Sequence, residues 1–474
     1  MKYILDASIA LACCLIVFGV LVFQAFHASA AETRPSNILF IYTDDHSYRT
    51  MSCYEGAEPW VRTPNTDRLA ARGVRFTHAY IGTWCMPSRA TMLTGLHQYG
   101  VRTMRMVDPY PNTTYDPERC RFWPAEFRRH GYQTAHIGKW HTGTDAGFGR
   151  DWDYQIVWNR PRHPENAPNY YYDQILSIDG GAPKVVPGYS TDNYTRWAVE
   201  YIRGGHRDAD KPWYLWLCYG GVHSPYTPAE RHLADYPGAS VPTPADIYPP
   251  RAGKPDYVQQ VNVWKPGQNG EPVLRAASLG NEVGDKGDGA VARTLSGWVR
   301  QYNQAVRALD EGIGQVLAAL EESGQLANTL VVLTSDQGYA WGQHDHDLSP
   351  LLKQPDAQWP HTTMLPFTAD KYGADCDRVP DAPRSRFGKG SNVPWYVLVV
   401  RDRYKYIRTL ESGEQEELYD LQSDPEELTN LALDTRHAAT LRTFRALAVS
   451  ELKRTGAKMA DQLPPVRSTR TTPP

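Results

Sequence analysis

The sequence predicts an α/β protein, a mostly parallel central sheet flanked by helices, with a small antiparallel C-terminal subdomain. Three observations carry that expectation. Continuous apolar runs at Asn37–Tyr42, Trp213–Tyr219 and Thr329–Leu333 read as strands buried on both faces, where no apolar–polar alternation is needed. Between the last two lies a strongly periodic helix with Tyr302, Val306, Leu309, Ile313, Val316 and Leu320 on one face. Strands alternating with helices imply parallel pairing. From about Trp395 the pattern shifts to hairpin-like strands, Val397–Val400 and Tyr404–Arg408, and then to a helical tail.

In chain order, residues 1–31 read as an export signal, with Lys2, an unbroken apolar run from Ile9 to Phe23 and the small residues Ala28-Ser29-Ala30 for cleavage. Export to the periplasm or the medium follows. The apolar run is nearly long enough to span a bilayer, so an uncleaved signal would leave a membrane anchor. Residues 32–390 form the expected catalytic domain, with a Pro-, Gly- and Asp-rich excursion over 231–297. Residues 391–460 form the C-terminal subdomain, and 461–474 an expected disordered tail. Fifty Lys and Arg against 53 Asp and Glu leave a net charge of −3, which argues against a nucleic-acid partner. Of seven cysteines, Cys13 and Cys14 fall in the signal. The others (Cys53, Cys85, Cys120, Cys218, Cys376) include no C-x-x-C pair, which argues against zinc. Export permits disulfides without demanding them.

Ligands of such sheets sit beyond the carboxyl ends of the strands. Asp44 and Asp45 end the first apolar run, Asp336 and Gln337 the third, and His223 lies just past the second. Three carboxylates and an amide oxygen form a hard-oxygen set that suits a dication such as Ca²⁺. Cys85-Met86-Pro87-Ser88-Arg89 precedes a helix-like stretch, which puts Cys85 near a helix N-terminus, where anions are favoured.

Further motifs appear in a fixed order. They are Thr63-Pro64-Asn65-Thr66-Asp67-Arg68-Leu69 with Gly73-Val74-Arg75-Phe76, Gly138-Lys139-Trp140-His141, Lys211-Pro212 with His223-Ser224-Pro225, Ser335-Asp336-Gln337-Gly338, and Leu418-Tyr419-Asp420-Leu421 with Asp424-Pro425 and Asn430-Leu431. In these the chain resembles the type I, formylglycine-dependent sulfatases, arylsulfatase-like members of the alkaline phosphatase superfamily. The resemblance implies an alkaline-phosphatase-like fold and hydrolysis of an organic sulfate ester to an alcohol and inorganic sulfate. It implies that a formylglycine-generating enzyme oxidises Cys85 to formylglycine (3-oxoalanine), whose hydrate is the nucleophile. It also implies one Ca²⁺ held by Asp44, Asp45, residue 85, Asp336 and Gln337. Arg89 would steady residue 85 and the carboxylates, and Lys139 would bind a sulfate oxygen. His141 would deprotonate the second hydroxyl, and His223 would contact sulfate or protonate the leaving alkoxide.

Carbohydrate sulfates are the expected substrates. Trp123, Trp152, Trp158 and Tyr170-Tyr171-Tyr172 offer surfaces for stacking on sugars, and Arg160, Arg162 and His163 could meet further anions. The pattern departs from the family after Gly338-x₅-His344. There the family continues into a second active-site lysine, an apolar strand and a helix. This chain passes at once to Asp345–Lys353, which resembles a loop found later in the family, so one strand–helix unit is missing after residue 344. Lys353 is the one stand-in for the lysine. Two alternatives therefore stay open: a phosphate or phosphonate monoester hydrolase, and a deletion-impaired, non-catalytic binder of sulfated glycans.

Overall fold

The computed structural model describes residues 36–76, 79–101, 120–166, 168–275, 292–338, 362–381 and 393–466. The expected signal segment, residues 1–31, and the Asp345–Lys353 junction lie outside the described residues. The central sheet has seven strands: β1 (Asn37–Thr43), β2 (Gln133–Lys139), β3 (Tyr154–Trp158), β4 (Tyr172–Ile178), β5 (Lys184–Tyr189), β6 (Trp213–Cys218) and β9 (Thr329–Ser335), in the order β5-β4-β3-β2-β6-β1-β9. The five strands from β3 to β9 run parallel, and β4 and β5 extend one edge in antiparallel fashion.

The apolar runs are explained by which face each residue serves. Leu39 and Ile41 of β1, Leu215 and Leu217 of β6, and Ala135 and Ile137 of β2 join one core. The helices α4 (Ser190–Ile202) and α5 (Leu295–Glu322) cover that face. Their alternates Phe40, Tyr42, Tyr214 and Trp216 join a second, aromatic core beneath α2 (Cys85–Thr94) and α3 (Trp123–Arg129). Both faces exclude water, so in β1 and β6 neither of these sets of alternating positions is charged or exposed. The short helix α1 (Pro64–Ala71) is clamped to α5, where Asp310 accepts from the backbone N–H of Thr66 (2.8 Å) and Asn65 (3.1 Å).

β9 differs from its neighbours. Every described position from Leu39 to Thr43 in β1 is buried, whereas β9 is half-buried along its length and Leu330 is 56% exposed. Among the described residues no strand pairs with its outer edge.

The excursion before α5 holds a hairpin, β7 (Trp264–Pro266) with β8 (Pro272–Leu274). Trp264 and Leu274 pack with Tyr226 and Ile247 on Trp298 and Tyr302 of α5. The C-terminal sheet is β10 (Thr363–Phe367), β11 (Tyr396–Arg401), β12 (Tyr404–Thr409) and β13 (Glu417–Asp420), all antiparallel, with α6 (Ala438–Arg454) against it. This sheet begins before the boundary expected at residue 391, because β10 pairs with β11. The tail expected from residue 461 is also held further than the sequence suggested. Leu463 packs on the C-terminal core, and Arg408 donates to the Pro464 carbonyl at 2.9 Å.

Candidate active site

All the strand ends that matter meet at one rim of the sheet. β1 delivers Asp44 and Asp45, and their backbone is fixed from three sides. The Asp44 N–H donates to Gly221 O (3.2 Å), Val222 N–H to Asp44 O (2.7 Å), and Asp336 N–H to Thr43 O (3.1 Å). Asp45 takes a left-handed φ of 53°, and so does His141 at 57°. Such positions cost of order 1 kcal/mol or more and persist where surroundings over-determine them. Tyr302 of α5 supplies part of that constraint, donating its hydroxyl to Asp45 O and accepting from Ser47 N–H at 3.0 Å. β2 delivers Lys139. Gly138 just before it has φ +112°, and a Cβ there would lie 1.9 Å from Cys218 O, so only glycine lets β2 approach β6 this closely.

Cys85 is the first residue of α2, after an extended Trp84 whose side chain makes no capping bond. Its free N–H groups and dipole therefore face the site. One ligand atom each from Asp44, Asp45, Cys85 and Asp336 lies within 4.8 Å of all the others, and all four residues are buried. Arg89, one turn along α2 and fully buried, donates to Asp336 Oδ2 through Nε (3.2 Å) and Nη2 (2.9 Å) and to Lys139 O through Nη1 (3.0 Å). Lys139 Nζ is paired with Asp44 Oδ2. Gln337 donates its amide to Asp45 Oδ1 and lies 3.7 Å from Cys85 Sγ.

Crowding sets the protonation states. Burial, then the charge of Asp336, pushes Asp45 up to about 6. Burial, then Asp44, pushes Asp336 up to about 7. For Lys139, burial works against the ammonium, but the Asp44 carboxylate outweighs it and holds the pKa above its usual range. Burial and the same carboxylate raise the Cys85 thiol well above its ordinary value. An unmodified Cys85 would therefore be a protonated, poor nucleophile. His141 and His223 are both driven well below 6.5, by burial first and by Lys139 second, and so are neutral.

His223 is held in one orientation. Its Nδ1 lies 2.7 Å from Ser224 O, which assigns the proton to Nδ1 and turns Nε2 to Asp45 Oδ2 at 3.9 Å. Tyr170 stacks on the ring at 4.1 Å and 5°, and Tyr171 donates its hydroxyl to His223 O at 2.6 Å. The sequence reading missed these two roles, since no motif spans the gap between a tyrosine triplet and a histidine some fifty residues later. It also offered Trp152 and Trp158 as sugar platforms. Both are completely buried, Trp152 in the aromatic core below the sheet, and cannot meet a ligand. Trp123 packs on the same core.

The Sulfatase family model matches residues 36–367, most of the chain. The chain belongs to the sulfatase family. An N-acetylglucosamine-6-O-sulfatase of Bacteroides thetaiotaomicron is 31% identical over 354 residues, covering 66% of this sulfatase and 60% of the relative. The fold matches the solved structure of BT4656 in complex with its substrate D-glucosamine-2-N,6-O-disulfate (TM-score 0.68, 22% identity, 90% of this chain and 100% of that one). It also matches the phosphonate monoester hydrolase of Agrobacterium radiobacter (TM-score 0.58, 22% identity, 89% and 96%).

Sulfatases as a family imply a metal ion and a formylglycine, and the residues present fit the metal. Three carboxylates converge on one point, and the proton affinities of Asp45 and Asp336 are raised there, which is the electrostatic problem a dication relieves. Asp44 Oδ1 and Gln337 Oε1 are buried with no hydrogen-bond partner. Such atoms are costly unless something else satisfies them.

Proposed function

We propose that this sulfatase hydrolyses a carbohydrate sulfate ester, with residue 85 as nucleophile after a formylglycine-generating enzyme has oxidised Cys85 to 3-oxoalanine. The single observation behind this reading is that Asp44, Asp45, Cys85 and Asp336 converge within 4.8 Å while Lys139 and Arg89 flank them. Asp44, Asp45, Asp336, Gln337 and residue 85 would hold one Ca²⁺, which supplies positive charge to a sulfate oxygen and to the hydroxyl of residue 85. Lys139, kept cationic by Asp44, binds a second sulfate oxygen as a point charge. Arg89 neutralises Asp336 and pins it against Lys139 O, so the rim does not shift as charge develops. Neutral His141 can take a proton from residue 85 and so drive release of sulfate. His223 presents Nε2 to the bound ester, whose negative charge favours its imidazolium and equips it to protonate the departing alkoxide. The apolar run and small residues of segment 1–31 support export, with membrane attachment only if that segment is kept.

Two measurements on protein from its own host test the reading. The tryptic peptide carrying residue 85 should be lighter than the thiol form by about 18 Da, the Cys-to-formylglycine change. Sulfate release should be seen from a panel that includes N-acetylglucosamine 6-sulfate and glucosamine 2-N,6-O-disulfate, with phosphate and phosphonate monoesters as competitors. Faster turnover of the phosphorus esters would make the phosphonate hydrolase reading the better one. The same two measurements separate the alternative read from the sequence, a non-catalytic binder of sulfated glycans. An unmodified thiol with glycan retention but no sulfate release would put that reading first.

A further inference from the structure

We infer that Tyr170 is a positioning residue for the proton delivered to the leaving oxygen, because its ring fixes the plane of His223. The inference rests on the hydrolase reading above and extends it to a residue that does not meet the substrate. Tyr170 is only 2% exposed, whereas the His223 side chain keeps 22% of its surface and can touch a ligand. Their rings stack at 4.1 Å with 5° between the planes. The contact of Nδ1 with Ser224 O (2.7 Å) holds one ring nitrogen but leaves the imidazole free to swing about that bond. Tyr171 fixes only the His223 backbone, through its carbonyl. A parallel ring at stacking distance removes the swing and so sets where Nε2 points. Tyr170 can do this because its own place is set by its neighbours. Trp158, at the end of β3, packs on the ring at 4.7 Å and 59°. The Tyr170 carbonyl accepts from Gln174 Nε2 and from Oγ of Ser190, the first residue of α4, both at 2.9 Å. Lys139 Nζ also lies 5.1 Å from the ring centroid, but its pairing with Asp44 holds it independently. His223 is therefore the group whose orientation depends on this ring.

The competing role is core packing, whose loss would slow every substrate alike. Turnover of an alkyl sulfate, N-acetylglucosamine 6-sulfate, and of an aryl sulfate, 4-nitrophenyl sulfate, separates the two. An alkoxide must be protonated as it leaves, whereas 4-nitrophenolate departs without that help. Tyr170→Leu should lower kcat on the alkyl ester by about 10–100-fold, part of what a positioned general acid supplies, with KM within about twofold. On the aryl ester kcat should fall by less than about threefold. Tyr170→Phe keeps the ring and loses only the hydroxyl that Arg160 meets at 3.2 Å, so both rates should stay near wild type. Equal losses on the two esters in Y170L, or no loss on either, overturn the inference, and so does a Y170F protein as slow as Y170L on the alkyl ester. Proton spectra of histidine-labelled protein give a readout that needs neither turnover nor the leucine variant. In wild type and Y170F the His223 ring protons, identified by their loss in His223→Gln, should lie upfield of those of exposed histidines, as protons over an aromatic face do. Unshifted signals overturn the inference even where sulfate is released. Shifted signals in a protein that releases no sulfate uphold the positioning of His223 and count against the hydrolase reading alone.

Discussion

The protein buries two dense clusters of charge, and they are built on opposite plans. At the rim of the central sheet, Asp44, Asp45 and Asp336 crowd toward one point with Cys85, and the two cations, Lys139 and Arg89, stand at the sides. Beneath the C-terminal sheet, cations and anions instead alternate across elements. Lys405 of β12 pairs with Glu427 at 2.5 Å. Lys254 of the excursion donates to Glu427 O at 2.6 Å and lies 4.5 Å from the Tyr419 ring centroid. Tyr419 donates to Glu417, and Asn430 ties Gly253 O to Glu416 O, both at 2.9 Å. The first cluster keeps unsatisfied oxygens aimed inward and is completed only from outside. The second pairs its charges across elements, with one buried oxygen of Glu427 left without a hydrogen-bond partner, and fastens the excursion to the C-terminal sheet. Burial and charge alone therefore do not mark a functional site; convergence of like charge does.

The comparison is broken most directly by removing one member of each cluster. Cys85→Ala should lower sulfate release by about 10⁴-fold or more, as loss of a nucleophile does. Its thermal stability should stay within a few degrees of wild type, because no ion pair is lost. Lys405→Met should do the reverse. It strands Glu427 without its partner and should cost about 3–5 kcal/mol in denaturant unfolding. The turnover of the molecules that remain folded should not change. If Lys405→Met proves neutral, the C-terminal cluster is no clamp and the contrast drawn above fails.

Ligand addition sharpens the same contrast at a smaller scale. Ca²⁺ at a hundredfold excess over its Kd should stabilise the protein by about 2.7 kcal/mol. Asp336→Asn should abolish that gain, whereas Lys405→Met should leave it intact. Calcium-independent melting in the wild type would show that the converging carboxylates are satisfied some other way.

How much of this was legible in the sequence depended on whether a residue's role was local. The three apolar strands and their terminal acids could be read because a strand buried on both faces is apolar throughout, and polar residues begin where it leaves the core. Asp44, Asp45, Lys139 and Asp336 meet because their strands are parallel and end on one rim. β10 was not legible. Pro366 speaks against a strand, yet β10 is an edge strand, where a missing N–H is tolerated. The roles of Tyr170, Tyr171 and Tyr302 were hidden as well, since each acts across a distance in sequence that only the assembled sheet closes. Trp152 and Trp158 show the limit from the other side. An indole that could stack on a sugar serves equally well in a core, and identity alone does not say which way it points.

The smallest expected effect separates the clusters by pH. Burial pushes Glu417 up to about 7 from an ordinary value of 4.5, with Lys254 opposing the rise. The folded state therefore holds this proton more tightly than the unfolded chain does. Its contribution to stability is fully present below pH 4.5 and is lost as pH rises through 7. Glu417→Gln keeps the shape and an acceptor for Tyr419 but cannot ionise. Relative to wild type it should gain about 1 kcal/mol per pH unit across that window and hold a constant difference above pH 8. Denaturant curves for the two proteins at pH 5, 6, 7 and 8 measure this directly. Parallel curves at all four would mean that Lys254 and Lys405 keep Glu417 ionised, and the C-terminal cluster would then be a network of full ion pairs rather than one relieved by a proton.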